Sequence, residues 1–456
     1  MSDVKLRFDG GTLLLEGVPR DLAPPGFVFD GRVGMLRGPA AAYREVVLAL
    51  RAAQVSYVDE ARSYETNLRP GRHDRVPRDY QAEAVEAWRT TGQRGIVVLP
   101  TGAGKSFVAE LIIDATRRPT MVLAPTIDLV GQWYDGLRRA FGDPIGVLGG
   151  GAHEVEAITV STYDSAWMHM DRYGDRFGLL VFDEVHHLPG PSYSSAARAS
   201  LAPFRLGLSA TPERPDGHHD VFDELVGPIV YRKEIGDLAG EFLADYETIC
   251  LQVHLTDQER ADWDQARAEY RTFADSRGIR LGGADGFRRF LQASNRSAEG
   301  RAALRAWREA RRILQGTSAK LRTLEALLRQ HHDRRVIVFT SDNATVHLIS
   351  RTFLVPAITH HTHVKERRSI LEAFASGALP VLVTSRVLNE GVDLPAADIA
   401  IILSGTSTVR EHVQRLGRIL RPQAGKHAIL YELVAAGTTE ELTSRRRRDH
   451  SAYQRS

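Results

Sequence analysis

The stretch GIVVLPTGAGKSFVAELIID, residues 95–114, decides the fold class of this 456-residue chain. An apolar run of strand length leads into a turn containing Gly102 and Gly104, and a segment with helical periodicity follows. Paired glycines let a backbone curl tightly and direct its N–H groups at phosphate oxygens, and the amino end of a helix adds positive potential. In such a loop, Lys105 would contact the β- and γ-phosphates of a nucleotide and Ser106 would bind Mg²⁺. The stretch therefore predicts a phosphate loop.

One residue departs from the common phosphate-loop pattern. That pattern has glycine where this chain has Leu99, so an ordinary glycine turn is the alternative interpretation. The strand pattern before the turn and the helix pattern after it favour the phosphate loop.

Apolar runs rich in β-branched residues or leucine alternate with helix-length segments on both sides of this loop. Such spacing is typical of parallel sheets with crossover helices. Two series of runs predict an α/β fold with two parallel-sheet domains in tandem. The first series is GIVVLP, TMVLAP, AITVST, GLLVFDE and RLGLSAT, and the second is RVIVFTS, AITHHT, PVLVTS, IAIILSG and AILYEL.

Composition shifts along the chain divide it into domains. Residues 1–65 carry a hairpin signal near their start and predict a small α+β domain. A polar connector leads to the first parallel-sheet domain, predicted at 72–240, and the second is predicted at 241–456. Within the second, residues 257–315 are charged and helical in period, which predicts a helical insertion.

Composition also excludes several classes of protein. No stretch approaches the ~18 apolar residues of a membrane span, and the N-terminus has no signal pattern. Cys250 is the single cysteine, which excludes an internal disulfide and a thiolate zinc finger and suits a cytoplasmic protein. The net charge of +2 gives no global cationic field. The tail SRRRRDH, 444–450, is either a solvated charge run or a nucleic-acid contact.

The sequence DEVHH, residues 183–187, ends another apolar run. In a phosphate-loop ATPase, an acid at the end of a nearby parallel strand helps to hold Mg²⁺, which is the role predicted for Asp183. The adjacent Glu184 would orient or deprotonate the attacking water. A transition-metal site at His186 and His187 is the alternative, although adjacent side chains diverge on a regular strand or helix.

The segment QRLGRILRP, 414–422, places Arg415, Arg418 and Arg421 on one helical face. A solvated basic helix would explain the pattern. Arginine fingers that reach the transferring phosphoryl group across a cleft would also explain it. The second interpretation predicts ATP at a domain interface, with hydrolysis coupled to domain closure.

Taken in order over residues 76–436, these motifs resemble those of superfamily 2 helicases. Their sequences are most similar to those of the short archaeal and bacterial XPB helicases. The segments that carry the resemblance include RDYQAEAV, PTGAGKS, APTIDLVGQW, STYDSA, DEVHHLPG, SATPER, VFTSDN, VTSRVLNEGVDLP and QRLGRILRP. The resemblance implies two RecA-like domains, ATP and Mg²⁺ as cofactors, and DNA with single-strand–duplex junctions as the partner.

The resemblance also implies a role for individual residues. Nucleotide contacts would come from Arg78, Gln81, Thr101, Gly102, Ala103, Gly104, Lys105, Ser106 and Asp393. Catalysis would use Lys105, Asp183, Glu184, Gln414, Arg418 and Arg421. Ser106 and Asp183 would hold Mg²⁺. DNA would be bound by Thr126, Thr162, Arg214 and Thr384. Hydrolysis would be coupled to movement by His186, Ser209 and Thr211.

Three features match the family less closely. Its R-E-D triplet corresponds here to residues 214–216, where Pro215 fixes φ and puts a strand-separating role in doubt. The 257–315 insertion falls where the family has a thumb that grips DNA. Its aromatic residues either stack on bases or pack the insertion against its own domain; they are Trp263, Tyr270 and Phe273. Residues 1–65 stand in place of a damage-recognition domain without a motif that supports this role.

We therefore expect a 3′–5′ DNA helicase or translocase that acts in nucleotide excision repair or transcription-linked DNA opening. It would be a monomer in a prokaryotic cytoplasm, nucleoid-associated during action and without a membrane partner. An ATP-gated module that melts or clamps DNA for a partner nuclease is the main alternative. An RNA remodeller, a restriction translocase and a nucleotide enzyme unrelated to nucleic acid are further alternatives.

Overall fold

A computed structural model describes residues 4–19, 22–212, 220–238, 242, 245–281, 283–385, 397–404 and 427–448. These residues form two compact units, and the boundary between the units lies after Glu234. The sequence pattern places the corresponding boundary after residue 240. No helix in the described ranges is long and apolar enough to cross a membrane.

The first unit contains an N-terminal sheet and a larger parallel sheet. Its strands are β1 (Val4–Asp9), β2 (Thr12–Glu16), β3 (Val28–Asp30), β4 (Met35–Pro39), β5 (Tyr57–Glu60), β6 (Arg94–Val98), β7 (Thr120–Ala124), β8 (Gly146–Gly149), β9 (Ala152–His153), β10 (Ile158–Thr162), β11 (Leu179–Phe182), β12 (Phe204–Ser209) and β13 (Ile229–Arg232). Its helices are α1 (Tyr43–Ala52), α2 (Asp79–Thr90), α3 (Lys105–Thr116), α4 (Ile127–Phe141), α5 (Tyr163–Tyr173), α6 (Pro191–Arg198) and α7 (Asp220–Leu225).

The second unit contains one parallel sheet and a helical insertion. Its strands are β14 (Asp245–Val253), β15 (Val336–Phe339), β16 (Ala357–Ile358), β17 (Val381–Thr384), β18 (Ile399–Ile402) and β19 (His427–Ala435). Its helices are α8 (Ile235–Leu238), α9 (Asp257–Ser276), α10 (Gly283–Ser294), α11 (Ala298–Gln315), α12 (Ser318–Gln330), α13 (Asn343–Phe353), α14 (Val364–Ser376) and α15 (Thr439–Arg448).

The N-terminal sheet has the strand order β3-β4-β2-β1-β5. A tight turn joins β1 to β2, and its residues Gly10 and Gly11 both have positive φ, which glycine adopts without a Cβ penalty. The register pairs Leu6 with Leu15, so both point to one face. They pack there with Val46 of α1 in a core of their own.

Around the phosphate loop, the larger sheet has the order β13-β6-β12-β11-β7-β10-β8-β9. All the pairings in it are parallel except that of β8 with β9. Helices on both faces bury the central strands completely; every residue of β7 is buried. The predicted α/β fold with a parallel sheet is confirmed for this unit.

The N-terminal domain packs against the residues that precede three parallel strands, β6, β12 and β11. The Arg44 guanidinium donates to Gly92 O at 2.6 Å and to Pro203 O at 3.1 Å, just before β6 and β12. Ser63 N donates to Asp175 O, before β11. Leu201 lies within the N-terminal core itself. The domain therefore covers the amino ends of these strands.

The connector between the N-terminal domain and α2 follows helix α3. Gly71 N donates to the Asp114 carboxylate at 2.8 Å. The Arg75 guanidinium lies 4.3 Å from the centre of the Phe107 ring and 3.5 Å from the Glu110 carboxylate. The connector is thus held along the helix that the phosphate loop opens.

The second sheet has the order β14-β19-β18-β15-β17-β16, and all of its pairings are parallel. The predicted second α/β domain is therefore confirmed. Helices α9, α10 and α11 occupy the range predicted for the insertion. Trp263 and Phe273 are buried in two hydrophobic clusters of the unit, and Tyr270 packs against both. The packing interpretation is confirmed for Trp263 and Phe273, whose burial leaves no ring face for a base. Tyr270 is half-buried, and base stacking by it stays a prediction.

Candidate nucleotide and nucleic-acid site

The predicted site residues of the first unit follow five strands of its parallel sheet. Because neighbouring parallel strands end at the same edge, these residues lie together, opposite the edge that the N-terminal domain covers. The phosphate loop follows β6, Thr126 follows β7, and Thr162 ends β10. Asp183 follows β11, and Ser209 ends β12.

The loop from Leu99 to Gly104 has the geometry of a phosphate cradle. Gly102 and Gly104 have φ of 88° and 83°, a region that disfavours residues with a Cβ. Gly104 is the N-cap of α3, so the free N–H groups of the first helical turn point into the loop. The Lys105 ammonium donates to Leu99 O at 3.2 Å. Leu99 does not have a positive φ, which explains why this chain needs no glycine there.

Residues from α2 fix the other side of the loop. The Gln81 side-chain amide donates to Ala103 O at 3.0 Å, and its oxygen accepts from Arg78 N at 3.0 Å. Tyr80 Oη also donates to Ala103 O, at 2.7 Å. A Cβ at residue 104 would lie 2.5 Å from Gln81 Nε2 and would displace that amide, while the positive φ of 83° is what favours glycine here. Gln81, a predicted nucleotide contact, thus connects the segment RDYQAEAV to the phosphate loop.

Both carboxylate oxygens of Asp183 have defined partners. Oδ2 accepts from Trp133 Nε1 at 2.8 Å, and Oδ1 accepts from Glu184 N at 3.0 Å. The side chain is almost fully buried. Burial and the neighbouring Glu184 raise the pKa of the Asp183 carboxyl group, whereas Trp133 and Lys105 oppose the shift. A bound cation would favour the ionised form of this acid.

Glu184 has the backbone conformation φ 46°, ψ 55°, a left-handed region that is costly for a residue with a Cβ. Its Oε2 atom is buried and accepts no hydrogen bond from the described residues. The same atom lies 3.5 Å from His186 Nδ1. Strained backbone of this kind is concentrated at functional sites, which agrees with the predicted role of Glu184.

The predicted coupling residues are in contact with one another. His186 Nδ1 lies 3.4 Å from Ser209 Oγ, and Ser209 Oγ accepts from Thr211 N at 3.1 Å. His187 has no predicted role; its ring is 4.5 Å from that of His186 and 6.3 Å from that of Tyr163. Among the described residues, no group of three or more metal-ligating side chains could hold an ion.

The threonines predicted to bind DNA all have structural partners. Thr126 and Thr162 are N-caps of α4 and α5, where their hydroxyl groups accept from Leu129 N and Ser165 N. Thr384 is fully buried in the second unit, and its hydroxyl group donates to Ile358 O at 3.0 Å. A phosphate contact from the Thr384 side chain would require that hydrogen bond to be exchanged. The assignment of the three threonines to DNA stays a prediction.

Several predicted site residues lie outside the described residues. They are Arg214, Asp393, Gln414, Arg418 and Arg421. The predicted arginine fingers and the prediction of ATP between two domains therefore stay predictions.

Sequence reasoning missed two buried side chains that hold Asp183. Trp133 donates to its carboxylate, and Tyr163 Oη donates to its backbone oxygen at 2.9 Å. Both residues stand in quoted motifs, APTIDLVGQW and STYDSA. The sequence did contain a signal for these contacts. Each residue is aromatic and carries a polar atom, and buried indole N–H and phenol groups need hydrogen-bond partners.

The site suits a nucleotide with Mg²⁺. Loop N–H groups and Lys105 suit phosphate oxygens, and the oxygens of Ser106 and Asp183 suit a hard cation. Among the described residues of this site, three buried side-chain oxygens have no hydrogen-bond partner, those of Thr101, Glu184 and Thr211. Buried polar atoms without partners are rare and indicate groups that a ligand or water would satisfy.

A phosphate loop and a strand-end Asp-Glu pair, in a chain with two parallel-sheet units, are the features of a phosphate-loop ATPase. Models of three families match the chain: the res subunit of type III restriction enzymes at 74–214, the helicase conserved C-terminal domain at 319–423, and the damage recognition domain of the xeroderma pigmentosum group B helicase at 6–61. The chain belongs to the XPB family of helicases.

Similar curated proteins agree with this assignment. The DNA 3′-5′ translocase XPB2 of Sulfurisphaera tokodaii is 45% identical over 372 residues, which cover 82% of this chain and 84% of the relative. The DNA 3′-5′ helicase XPB of Mycobacterium tuberculosis is 31% identical over 387 residues, covering 81% of this chain and 63% of the relative. The crystal structure of the Pyrococcus furiosus Hef helicase domain shares the fold, with a TM-score of 0.54, 20% identity, and coverage of 82% of this chain and 98% of that one.

Proposed function

We propose that the chain is an ATP-driven DNA translocase that moves 3′ to 5′ along one strand and opens duplex DNA in nucleotide excision repair or transcription-linked opening. The observation that carries the proposal is the convergence of Lys105, Asp183, Glu184 and Ser209 at neighbouring strand ends. The XPB relatives, a DNA 3′-5′ translocase and a DNA 3′-5′ helicase, support the polarity and the substrate. Bacterial and archaeal relatives favour a prokaryotic cytoplasm, on chromosomal DNA.

In the proposed reaction, the loop N–H groups and Lys105 orient the triphosphate, and Ser106 and Asp183 hold Mg²⁺. The cation, when bound, neutralises charge on the phosphates. Glu184 Oε2 accepts a proton from the attacking water. His186 faces both Glu184 and Ser209, so a change at the reacting phosphate reaches the segment after β12 through this histidine.

ATP turnover by the purified protein tests the proposal. We expect turnover to rise with DNA and to rise most with a forked substrate, because a translocase hydrolyses ATP productively only on its track. RNA of the same sequence is the control and should stimulate less. Turnover that is the same with and without DNA would overturn the proposal, and a preference for RNA would favour an RNA remodeller.

A DNA-melting or clamping module for a partner nuclease is the second candidate. Pro215 favours it, because this residue replaces the glutamate of a triplet associated with strand separation. Strand displacement on a forked duplex separates the two candidates. A translocase displaces the strand without a partner protein. A melting or clamping module hydrolyses ATP on DNA but displaces little of the strand. We propose a monomer for both, which the mass in solution would test.

Helix α11 has an arginine face that suits the DNA backbone. Arg301, Arg305 and Arg308 recur at i, i+4 and i+7, are exposed, and lie opposite the buried face of the helix. In the part of the chain that the structure describes, none of the three forms an ion pair. Gln315, at the end of α11, donates to Ser341 Oγ at 2.6 Å, beyond the carboxyl end of β15. The arginine face therefore extends from the carboxyl edge of the second sheet.

This arginine face favours duplex over single-stranded DNA. Proteins that bind single strands combine cations with aromatic platforms for the bases. Each aromatic side chain of this insertion is buried or half-buried instead; Trp307 of α11 lies 4.7 Å from Phe287. A rigid row of guanidinium groups without a stacking surface suits the phosphates of a duplex.

Replacing Arg301, Arg305 and Arg308 together by glutamine should weaken duplex binding and reduce its salt dependence. Each lost phosphate contact lowers the slope of log K against log salt by roughly 0.9, so we expect a decrease of about 2 to 3. Anisotropy titrations over a range of salt concentrations measure it. The matched control replaces Arg288, Arg329 and Arg368, each exposed and paired with an acid on its own helix. Equal slopes for the two triple variants would contradict the prediction.

A further inference from the structure

Helix α4 connects two parts of the proposed machinery. It begins after Thr126, at the carboxyl end of β7, where a DNA strand is expected. Two helical turns later Trp133 donates its indole N–H to Asp183 Oδ2 at 2.8 Å. The intervening seven residues correspond to roughly 10 Å of helix. One rigid element thus contacts the expected metal-binding carboxylate and carries the expected DNA contact.

The hydrogen bond from Trp133 is well placed to orient the carboxylate. Trp133 is 4% exposed and Asp183 is 7% exposed, so water competes weakly for either group. Asp183 Oδ1 already accepts from Glu184 N, and Asp183 N donates to Leu123 O at 2.9 Å. The indole N–H is therefore the one side-chain donor, among the described residues, that fixes the remaining oxygen. Hydrogen bonds to ionised groups are stronger than neutral ones.

The amino end of α4 is open to a ligand. Ile127, its first residue, is 52% exposed, although it is apolar. The turn between β8 and β9 lies beside it: a Cβ at residue 150 would be 3.1 Å from Ile127 Cδ1. A strand that binds here would press on the first turn of α4. Because the helix is rigid, displacement of that turn displaces Trp133 as well.

We propose that Trp133 is a positioning residue that orients Asp183 toward Mg²⁺ and transmits DNA binding at the amino end of α4 to the nucleotide site. The inference rests on the proposed function, since it needs both ligands. The simpler interpretation is a core tryptophan whose N–H has found an acceptor. The two interpretations differ in what loss of the N–H group does to metal-dependent binding.

The variant Trp133→Phe removes the N–H group and keeps an aromatic ring. A fluorescent ADP analogue is titrated against the protein with and without Mg²⁺. We expect the Mg²⁺-dependent gain in affinity to fall by roughly 10- to 100-fold, the usual effect of losing a group that orients a metal ligand. Affinity without Mg²⁺ should stay close to that of the parent protein. A gain that equals that of the parent protein would overturn the positioning role.

Trp88 provides the matched control within the same unit. It is 1% exposed, and its indole N–H donates to Arg205 O at 2.9 Å, away from the site. Trp88→Phe therefore loses an equally buried donor and should keep the full Mg²⁺-dependent gain. If both variants lose the Mg²⁺-dependent gain in affinity, the cause is general destabilisation of the unit and the inference fails. Trp133→Met serves in place of Trp133→Phe if the latter does not fold, as judged by a cooperative melting transition.

A second measurement tests transmission. Duplex and single-stranded DNA affinities are compared with and without Mg²⁺ and a non-hydrolysable ATP analogue, because coupling between two binding sites is reciprocal. For each DNA, the affinity with Mg²⁺ and the analogue is divided by the affinity without them. Trp133→Phe should bring this ratio toward one, whereas Trp88→Phe should leave it unchanged. An unchanged ratio in Trp133→Phe would overturn transmission. Absence of DNA-stimulated turnover in the parent protein would instead refute the proposed function, and the ADP titration does not depend on that outcome.

Discussion

Glu184→Gln should lower DNA-stimulated ATP turnover by about 10²- to 10⁴-fold, the usual contribution of a general base. The substitution keeps the shape of the side chain and removes its ability to accept a proton. The buried Oε2 atom, which accepts no hydrogen bond from the described residues, is where the water would be deprotonated. Nucleotide binding should persist, since the phosphate loop and Asp183 are unchanged. Steady-state turnover at saturating DNA and titration of a fluorescent ATP analogue measure the two quantities.

The control for this result is Glu224→Gln. Glu224 lies on α7 and pairs with Arg198 at 2.8 Å, away from the strand ends that form the site. Its loss removes one carboxylate from the same unit and should leave turnover nearly unchanged. Turnover in Glu184→Gln that stays within a few-fold of the parent protein would mean that another group activates the water.

Arg205→Met should destabilise the first unit more than most single substitutions. Arg205 is fully buried, and its guanidinium donates to four backbone oxygens, those of Ala202, Leu225, Ala197 and Ser200. Burial and the nearby Arg94 lower the pKa of Arg205 to about 9. The group therefore stays charged at neutral pH, and its hydrogen bonds are charge-assisted.

Two opposing terms determine the size of this effect. Removing a buried charge relieves several kcal/mol of desolvation, whereas four charge-assisted hydrogen bonds contribute about 1.5–3 kcal/mol each. The hydrogen bonds prevail, and we expect a net loss of about 3–5 kcal/mol, because each buried carbonyl left without a donor costs about 1–3 kcal/mol. Of the four, Leu225 O keeps a second donor, Arg94, at 3.3 Å. Such a loss is a large part of the ~5–15 kcal/mol that stabilises a domain.

Urea unfolding followed by circular dichroism measures the effect of Arg205→Met. Arg198→Met is the matched control, because Arg198 is 41% exposed and its ion pair with Glu224 is at the surface. Exposed pairs contribute ~0–1 kcal/mol, so the control should unfold near the parent midpoint. A midpoint for Arg205→Met equal to that of the control would show that water satisfies the four carbonyl groups.

The sequence predicted the strands that form the centre of each sheet. Such strands are buried on both faces, so they appear as continuous apolar runs, and each of the ten runs corresponds to a strand. Of the strands near the sheet edges, β16 was predicted and several others were missed. β8 has four residues and two glycines, and β14 (Asp245–Val253) interleaves polar residues because it lies at an edge.

The candidate site could be predicted as far as sequence order and strand ends allow. Parallel pairing brings Lys105, Asp183 and Ser209 together whatever the intervening loops do. The partners of these residues could not be predicted. Trp133 is distant from Asp183 in the sequence and reads as one more apolar residue of a helix face. Arg205 likewise reads as the polar start of a strand, because local pattern carries no information on which carbonyl groups surround a side chain.

The N-terminal domain lies at the amino ends of the strands, so the length of the strands separates it from the phosphate loop. Strand β6 has five residues, so this separation is roughly 17 Å. A ligand of that domain would therefore contact it at least this far from the phosphate loop. The connector leads from the N-terminal domain to α2 and is hydrogen-bonded along α3, the helix that begins with Lys105. It is therefore a direct structural link between the N-terminal domain and the phosphate loop. Evolution could therefore alter what the N-terminal domain recognises without disturbing hydrolysis, as long as this link is kept.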